Sequence, residues 1–183
     1  TLEMIRAIHP YVDVNLLIEH DTLVGDVKAK LYAEGIDTTH INLIFQANTD
    51  VWYRDPGPIF CITPDDELGI IDFKYTSYSN ISHDSISEKA KLYEALDRDI
   101  AGRMNIPTFE SKIALEGGAI ETNGRGTLIV VEELMLGRNP HLTKEEVEAE
   151  FARCCGIEKV IWLPKGVADD PHHVERIVDN VFG

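Results

Sequence analysis

Three short segments hold most of the side chains that could do chemistry. In Asp50-Val51-Trp52-Tyr53-Arg54-Asp55-Pro56-Gly57-Pro58, two prolines around a glycine set a sharp turn ahead of an apolar run. Such a turn presents Asp55 at a strand end, where loops commonly carry sites. An aspartate there can hold a planar cation through both oxygens. The plainer alternative is that Asp55 pairs with Arg54 or caps the turn. In Leu115-Glu116-Gly117-Gly118-Ala119-Ile120-Glu121, two glycines interrupt a strand pattern. This marks the close approach of a ligand or of another backbone. Glu116 follows an apolar residue, and a carboxylate buried there needs a partner; a bulge with a structurally paired glutamate is the other reading. The third segment, Asp169-Asp170-Pro171-His172-His173-Val174-Glu175-Arg176-Ile177-Val178-Asp179-Asn180, sets two histidines among carboxylates. That composition suits a metal or a general acid–base pair. Adjacent histidines on an extended segment point opposite ways, so one shared metal centre is not expected.

The bulk properties narrow the partners. Lys and Arg total 17 against 32 Asp and Glu in 183 residues, a formal charge of −15. Nucleic-acid binding depends on basic groups displacing phosphate counterions, so this balance argues against it. The same field favours cationic ligands, although acidity also serves solubility alone. Apolar runs such as Leu128–Val131 are far too short to span a bilayer. Neither these nor the N-terminus, Thr1-Leu2-Glu3-Met4, suggests a membrane or secretory destination. The cysteines, Cys61, Cys154 and Cys155, are odd in number and lack metal-type spacing. A reducing cytoplasmic setting is expected.

The elements that must position these residues alternate between strand and helix patterns. Residues 2–9 suit a helix, 12–18 a strand, 22–34 a helix closed by Gly35, and 41–45 a buried strand. Ile59–Ile62 and Ile70–Phe73 suit a hairpin about the Pro64–Gly69 turn. A long helix is expected from Ser85 to Pro107, with Leu92, Leu96, Ile100 and Met104 on its buried side. After a short strand at 108–112, a second hairpin should pair Ala114–Thr122 with Thr127–Leu134. Thr143 and Glu146 form a capping box with a Leu142–Val147 staple, opening a helix whose Val147, Phe151 and Cys154 or Cys155 read as core packing. Val160–Leu163 suits a last strand. The order suggests one module used more than once within a single continuous domain, 1–183.

Taken together, the segments resemble one family. Asp50–Pro58, Leu115–Ile120, Leu134–Glu146 and Lys159–Pro164 are similar, in order and spacing, to signatures of the agmatine deiminase and bacterial peptidylarginine deiminase-like proteins. The resemblance covers about residue 40 to residue 180 and corresponds to the N-terminal portion of those proteins. It implies an α/β fold, the five-bladed pentein propeller, of which two to three repeated modules would be present. It implies a small cationic guanidino substrate, no cofactor and no metal. In that family two carboxylates grip the guanidinium group. A cysteine thiolate attacks its carbon, and a histidine protonates the departing ammonia and then activates water. By motif position Asp55 would be a substrate ligand, with Trp52 beside it, and Glu116 would be a catalytic residue beside the reacting centre.

The match departs from the pattern at two places. The family's His-Val-Asp-Asn signature has two imperfect registers here, and His173 is favoured as the base with Asp179 as the second substrate carboxylate. None of Cys61, Cys154 and Cys155 occupies the position of the nucleophile. Two expectations follow: a guanidino-group hydrolase whose cysteine lies on a missing segment or a companion chain, or a non-catalytic deiminase-like domain that binds a guanidino compound or packs with partners. A homo-oligomer or a complementing C-terminal segment is the expected assembly. A partial propeller would expose strand edges and so self-associate.

Overall fold

In a computed structural model the chain forms two compact units, residues 1–51 and 52–183, which are described separately. Residues 2–46, 52–76 and 88–166 are described. In the first unit a helix, α1 (Leu2–Ile8), precedes β1 (Val14–Ile18), α2 (Val24–Ala33) and β2 (Ile41–Phe45). The two strands pair in parallel with Val14 opposite Ile41, as a strand–helix–strand crossover requires. Ile5, Leu31 and Ile36 form the centre of its small core. Gly35 follows α2 at a φ of 67°, the left-handed conformation that ends helices and that glycine adopts without steric cost.

The second unit uses one topology twice. Strands β3 (Ile59–Ile62) and β4 (Leu68–Lys74) form an antiparallel hairpin, and β5 (Thr108–Ala114) joins β4 in parallel after the helices α3 (Glu88–Glu94) and α4 (Leu96–Met104). Strands β6 (Ile120–Thr122) and β7 (Thr127–Val131) form the next hairpin, and β8 (Lys159–Leu163) joins β7 in parallel after α5 (Glu132–Arg138) and α6 (Lys144–Cys155). The recurrence expected from the order of elements is therefore present as two three-stranded sheets, each with its helical crossover.

Strand β4 is buried on both faces. Ile71 and Phe73 face the main core with Ile113, Val130, Met135, Val147 and Phe151, whereas Ile70 packs with Leu96, Ile100 and Ala101 of α4. A central strand covered on two sides reads as a continuous apolar run, and Asp72 is the polar interruption, held by Arg98 of α4 at 2.7 Å.

Several boundaries differ from expectation. The second hairpin does not run from Ala114 to Leu134. Ala114 ends β5 and pairs with Lys74 of β4, and residues 132–138 turn into α5. A parallel partner for β7 demands a crossover, and the acidic pair Glu132–Glu133 suits the positive end of a helix. The long helix is interrupted at Ala95, and its buried face is Tyr93, Leu96, Ile100 and Ala101. Leu92 and Met104 are exposed, because a strict four-residue spacing drifts around a helix of 3.6 residues per turn. Ser85, where that helix is expected to begin, lies outside the described residues. The capping box of α6 is formed as read: Thr143 accepts from the Glu146 N–H at 3.2 Å, and Glu146 accepts from the Thr143 N–H at 2.8 Å. Such caps contribute about 1 kcal/mol.

Candidate functional site

The two carboxylate-bearing segments meet. Asp55 lies in a turn closed by its N–H donating to the Trp52 carbonyl at 3.3 Å. Its backbone carbonyl accepts from Gly117 at 3.0 Å, and its side-chain Oδ1 accepts from the Gly118 N–H at 2.9 Å. Asp55 is buried, only 8% exposed. It is therefore clamped to the Glu-Gly-Gly segment and does not pair with Arg54. Arg54 reaches instead to the Ile120 carbonyl at 3.4 Å and to Glu121 at 3.8 Å. A cleft of about 230 Å³ opens beside this junction, walled by Arg54, Pro58, Phe60, Gly117 and Glu121.

The glycine at 117 is a matter of space. A Cβ placed there would lie 2.1 Å from the Arg54 carbonyl oxygen, a separation no real contact allows. The close approach foreseen from the paired glycines is thus that of another backbone. Gly117→Ala is expected to force the two segments apart and cost about 1–3 kcal/mol in thermal or urea unfolding. An unchanged unfolding midpoint would show that the segments yield freely.

Glu116 has no exposed surface. Arg138, at the end of α5, donates through Nε to both of its oxygens, at 2.9 and 3.2 Å. Arg138 is itself buried. The neighbouring Asn139, fully buried, clamps the end of β5. It accepts from the Ala114 N–H at 2.8 Å and donates to the carbonyls of Ala114 and Met135 at 2.8 and 2.9 Å. Arg138 and Asn139 were not among the site residues read from the sequence. They stand inside the Leu134–Glu146 segment, and the need of a buried carboxylate for a cation was the available signal.

Trp52 is 64% exposed at the mouth of the Asp55 turn. Its neighbour Tyr53 is packed on the α4 side, where burial, with Asp97 nearby, pushes the phenol up to about 12. His173 and Asp179 lie outside the described residues. The structure therefore brings Asp55 and Glu116 to one junction and leaves Trp52 at its edge. Among the described residues no three or more His, Cys, Asp or Glu side chains are grouped so as to hold a metal ion, and no helix is long and apolar enough to cross a membrane.

This mixed α/β architecture is shared with known proteins. The sequence matches the Porphyromonas-type peptidyl-arginine deiminase family over residues 1–182, and the chain belongs to that family. A candidate agmatine deiminase of Mycoplasma mycoides subsp. mycoides is 33% identical, the match covering 96% of this chain and 47% of that protein. One of Listeria monocytogenes is 30% identical over 94% of this chain and 48% of its own length. The chain thus spans about half the length of the curated relatives it matches. Among solved structures, that of a candidate agmatine deiminase superposes with a TM-score of 0.77 at 28% identity, covering 90% of this chain and 44% of the other. The agmatine deiminase of Enterococcus faecalis shares the fold, with a TM-score of 0.74 at 24% identity over 90% of this chain and 44% of its own.

Proposed function

We propose that the chain is the Asp55–Glu116 half of a guanidino-group hydrolase acting on agmatine or a related arginine-type substrate. The observation that carries this reading is the clamp of Asp55 onto Gly117 and Gly118, which joins two buried carboxylates from segments far apart in sequence. Asp55 would hold the guanidinium, whose fork of N–H donors matches a carboxylate. Trp52 would lie along the substrate, and Asp179 would supply a second carboxylate. A cysteine thiolate on a segment outside this chain would attack the guanidinium carbon, and ammonia would leave with a proton from His173. His173 would then activate water, which opens the thiouronium and frees the carbamoyl product. The three-stranded modules would be blades of a pentein propeller completed elsewhere. The family match, an acidic chain suited to a dicationic substrate and the cytoplasmic setting expected from the free cysteines support the same picture. No cofactor enters this scheme.

One observation favours a second reading. Both oxygens of Glu116 already accept from a guanidinium, that of Arg138, which suits a deiminase-like domain that holds a guanidino compound without turnover. Incubating the full-length protein with agmatine and assaying ammonia and the carbamoyl product tests the pair. Turnover, with Asp55→Asn lowering kcat/KM by about 100-fold, supports the hydrolase. Calorimetric binding of agmatine without product supports the second reading. Activity on peptidyl arginine but not agmatine would move the substrate assignment, and neither binding nor turnover would end both.

A further inference from the structure

Away from that junction, all three thiols of the chain gather at one cleft. Cys61 on β3 and Cys154 and Cys155 at the end of α6 line a cavity of about 470 Å³, with Pro64 and Phe109 on its wall and Arg153 beside it. All three are free and half-buried. Cys154 and Cys155 also pack against the main core, as their helical position implied, yet their sulfurs face each other at 3.4 Å.

What can two adjacent thiols in contact do? A disulfide between them is disfavoured. Neighbouring Cα atoms lie about 3.8 Å apart across a trans peptide, short of the roughly 4.4–6.8 Å of ordinary disulfides. Closing the bond would unwind the last turn of α6. A linear two-coordinate metal fits no better, because it needs sulfurs separated by about twice a metal–sulfur bond of roughly 2.3 Å. Tetrahedral metals need further ligands, and no such group exists among the described residues. A pyramidal, trivalent, soft centre is different. It accepts two sulfurs on one side, close together, and keeps an organic substituent on the other. Thiolates are the soft donors such centres select.

The protonation pattern favours this chemistry. The hydrogen bond shared with Cys155 holds the Cys154 thiol below its usual range against the effect of burial, and the Arg153 guanidinium adds to this while the Glu150 carboxylate opposes it. The same contact, together with burial, pushes Cys155 far up. One sulfur of the touching pair is thus eased toward thiolate by its neighbour, and the neighbour follows as the second nucleophile.

We propose that Cys154 and Cys155 form a chelating dithiol site for trivalent organoarsenicals, with the aryl or alkyl group lodged against Phe109 and Pro64. With an arsenoxide, two arsenic–sulfur bonds form, the arsenic–oxygen bond breaks, and the oxygen leaves as water with the two thiol protons. Arsenic stays trivalent, and no oxidant or reductant is needed.

Phenylarsine oxide added to the folded protein tests the site. The expected result is one phenylarsenic adduct by intact mass and the loss of two of the three titratable thiols. Because both bonds must open together, the adduct should resist excess glutathione and be removed by a dithiol such as dimercaptopropanol. Cys154→Ser and Cys155→Ser should each weaken retention by about 100-fold, as expected when a bivalent attachment becomes monovalent. Cys61→Ser should leave it unchanged. Peptide mapping of the wild-type adduct to the Cys154–Cys155 peptide keeps the test independent of whether each variant folds. A glutathione-resistant adduct that survives in either single variant, that bridges Cys61 instead, or that forms only in denaturant would overturn the proposal.

Discussion

Arg138→Met is expected to destabilise the protein by about 3–5 kcal/mol, the range for breaking a buried ion pair from one side. Glu116 is fully buried, and Arg138 grips both of its oxygens from α5. The substitution fills the volume with apolar atoms and takes the guanidinium away from a carboxylate in a low dielectric, where its charge is most costly. Combining it with Glu116→Leu should restore most of the loss, because an apolar pair of similar size has no charge to strand. Urea unfolding of the two single variants and the double variant reads the coupling directly. If the single and double variants were equally unstable, packing around Arg138 would matter more than its charge.

The second large effect concerns Asp97 of α4. Burial, with the neighbouring Asp72 and Glu94 carboxylates, pushes its carboxyl up to about 8, and Arg98 only partly offsets this. The residue is 8% exposed, and its Oδ1 finds no hydrogen-bond partner among the described residues. An unfolded aspartate loses its proton near pH 4, whereas the folded chain keeps this one until about pH 8. Between those values the folded state binds more protons than the unfolded state. Stability therefore falls as pH rises through that window and levels off above it. At 1.36 kcal/mol per pH unit the full span is on the order of 5 kcal/mol. Asp97→Asn removes the titration. It is expected to raise the urea midpoint clearly at pH 8 and scarcely at pH 4.5. Equal shifts at both pH values would show that Asp97 is already ionised in the folded protein.

How legible this structure was in the sequence depended on distance along the chain. The Thr143–Glu146 capping box closes within one helical turn and was read correctly. So was the meaning of the paired glycines, since the missing Cβ announces a close approach, although the arrival of the Arg54 carbonyl could not be named. Residues 132–138 failed because α5 follows β7 without a break and is only seven residues long, too short for a 3.6-residue period to separate itself from a strand. The parallel seating of β5 against β4 and the Arg138–Glu116 pair, 22 residues apart, depend on tertiary pairing that no local pattern encodes. The Pro-Gly-Pro turn alone makes Asp55 conspicuous in the sequence. Its partner, the Gly118 amide 63 residues away, becomes visible only once the hairpins are in place.

That last hydrogen bond also makes the junction a clock. The amides of Gly117 and Gly118 both point at Asp55, so neither proton can exchange with solvent while the Asp55 turn stays seated. Closing a loop of this length is entropically slow and is completed late in folding. The same contact should open as one cooperative event, well before the core strands do. In deuterated water the two glycine amides are thus expected to exchange in step with each other and ahead of Ile71 and Val130. They would report how often the two carboxylate segments come apart and rejoin.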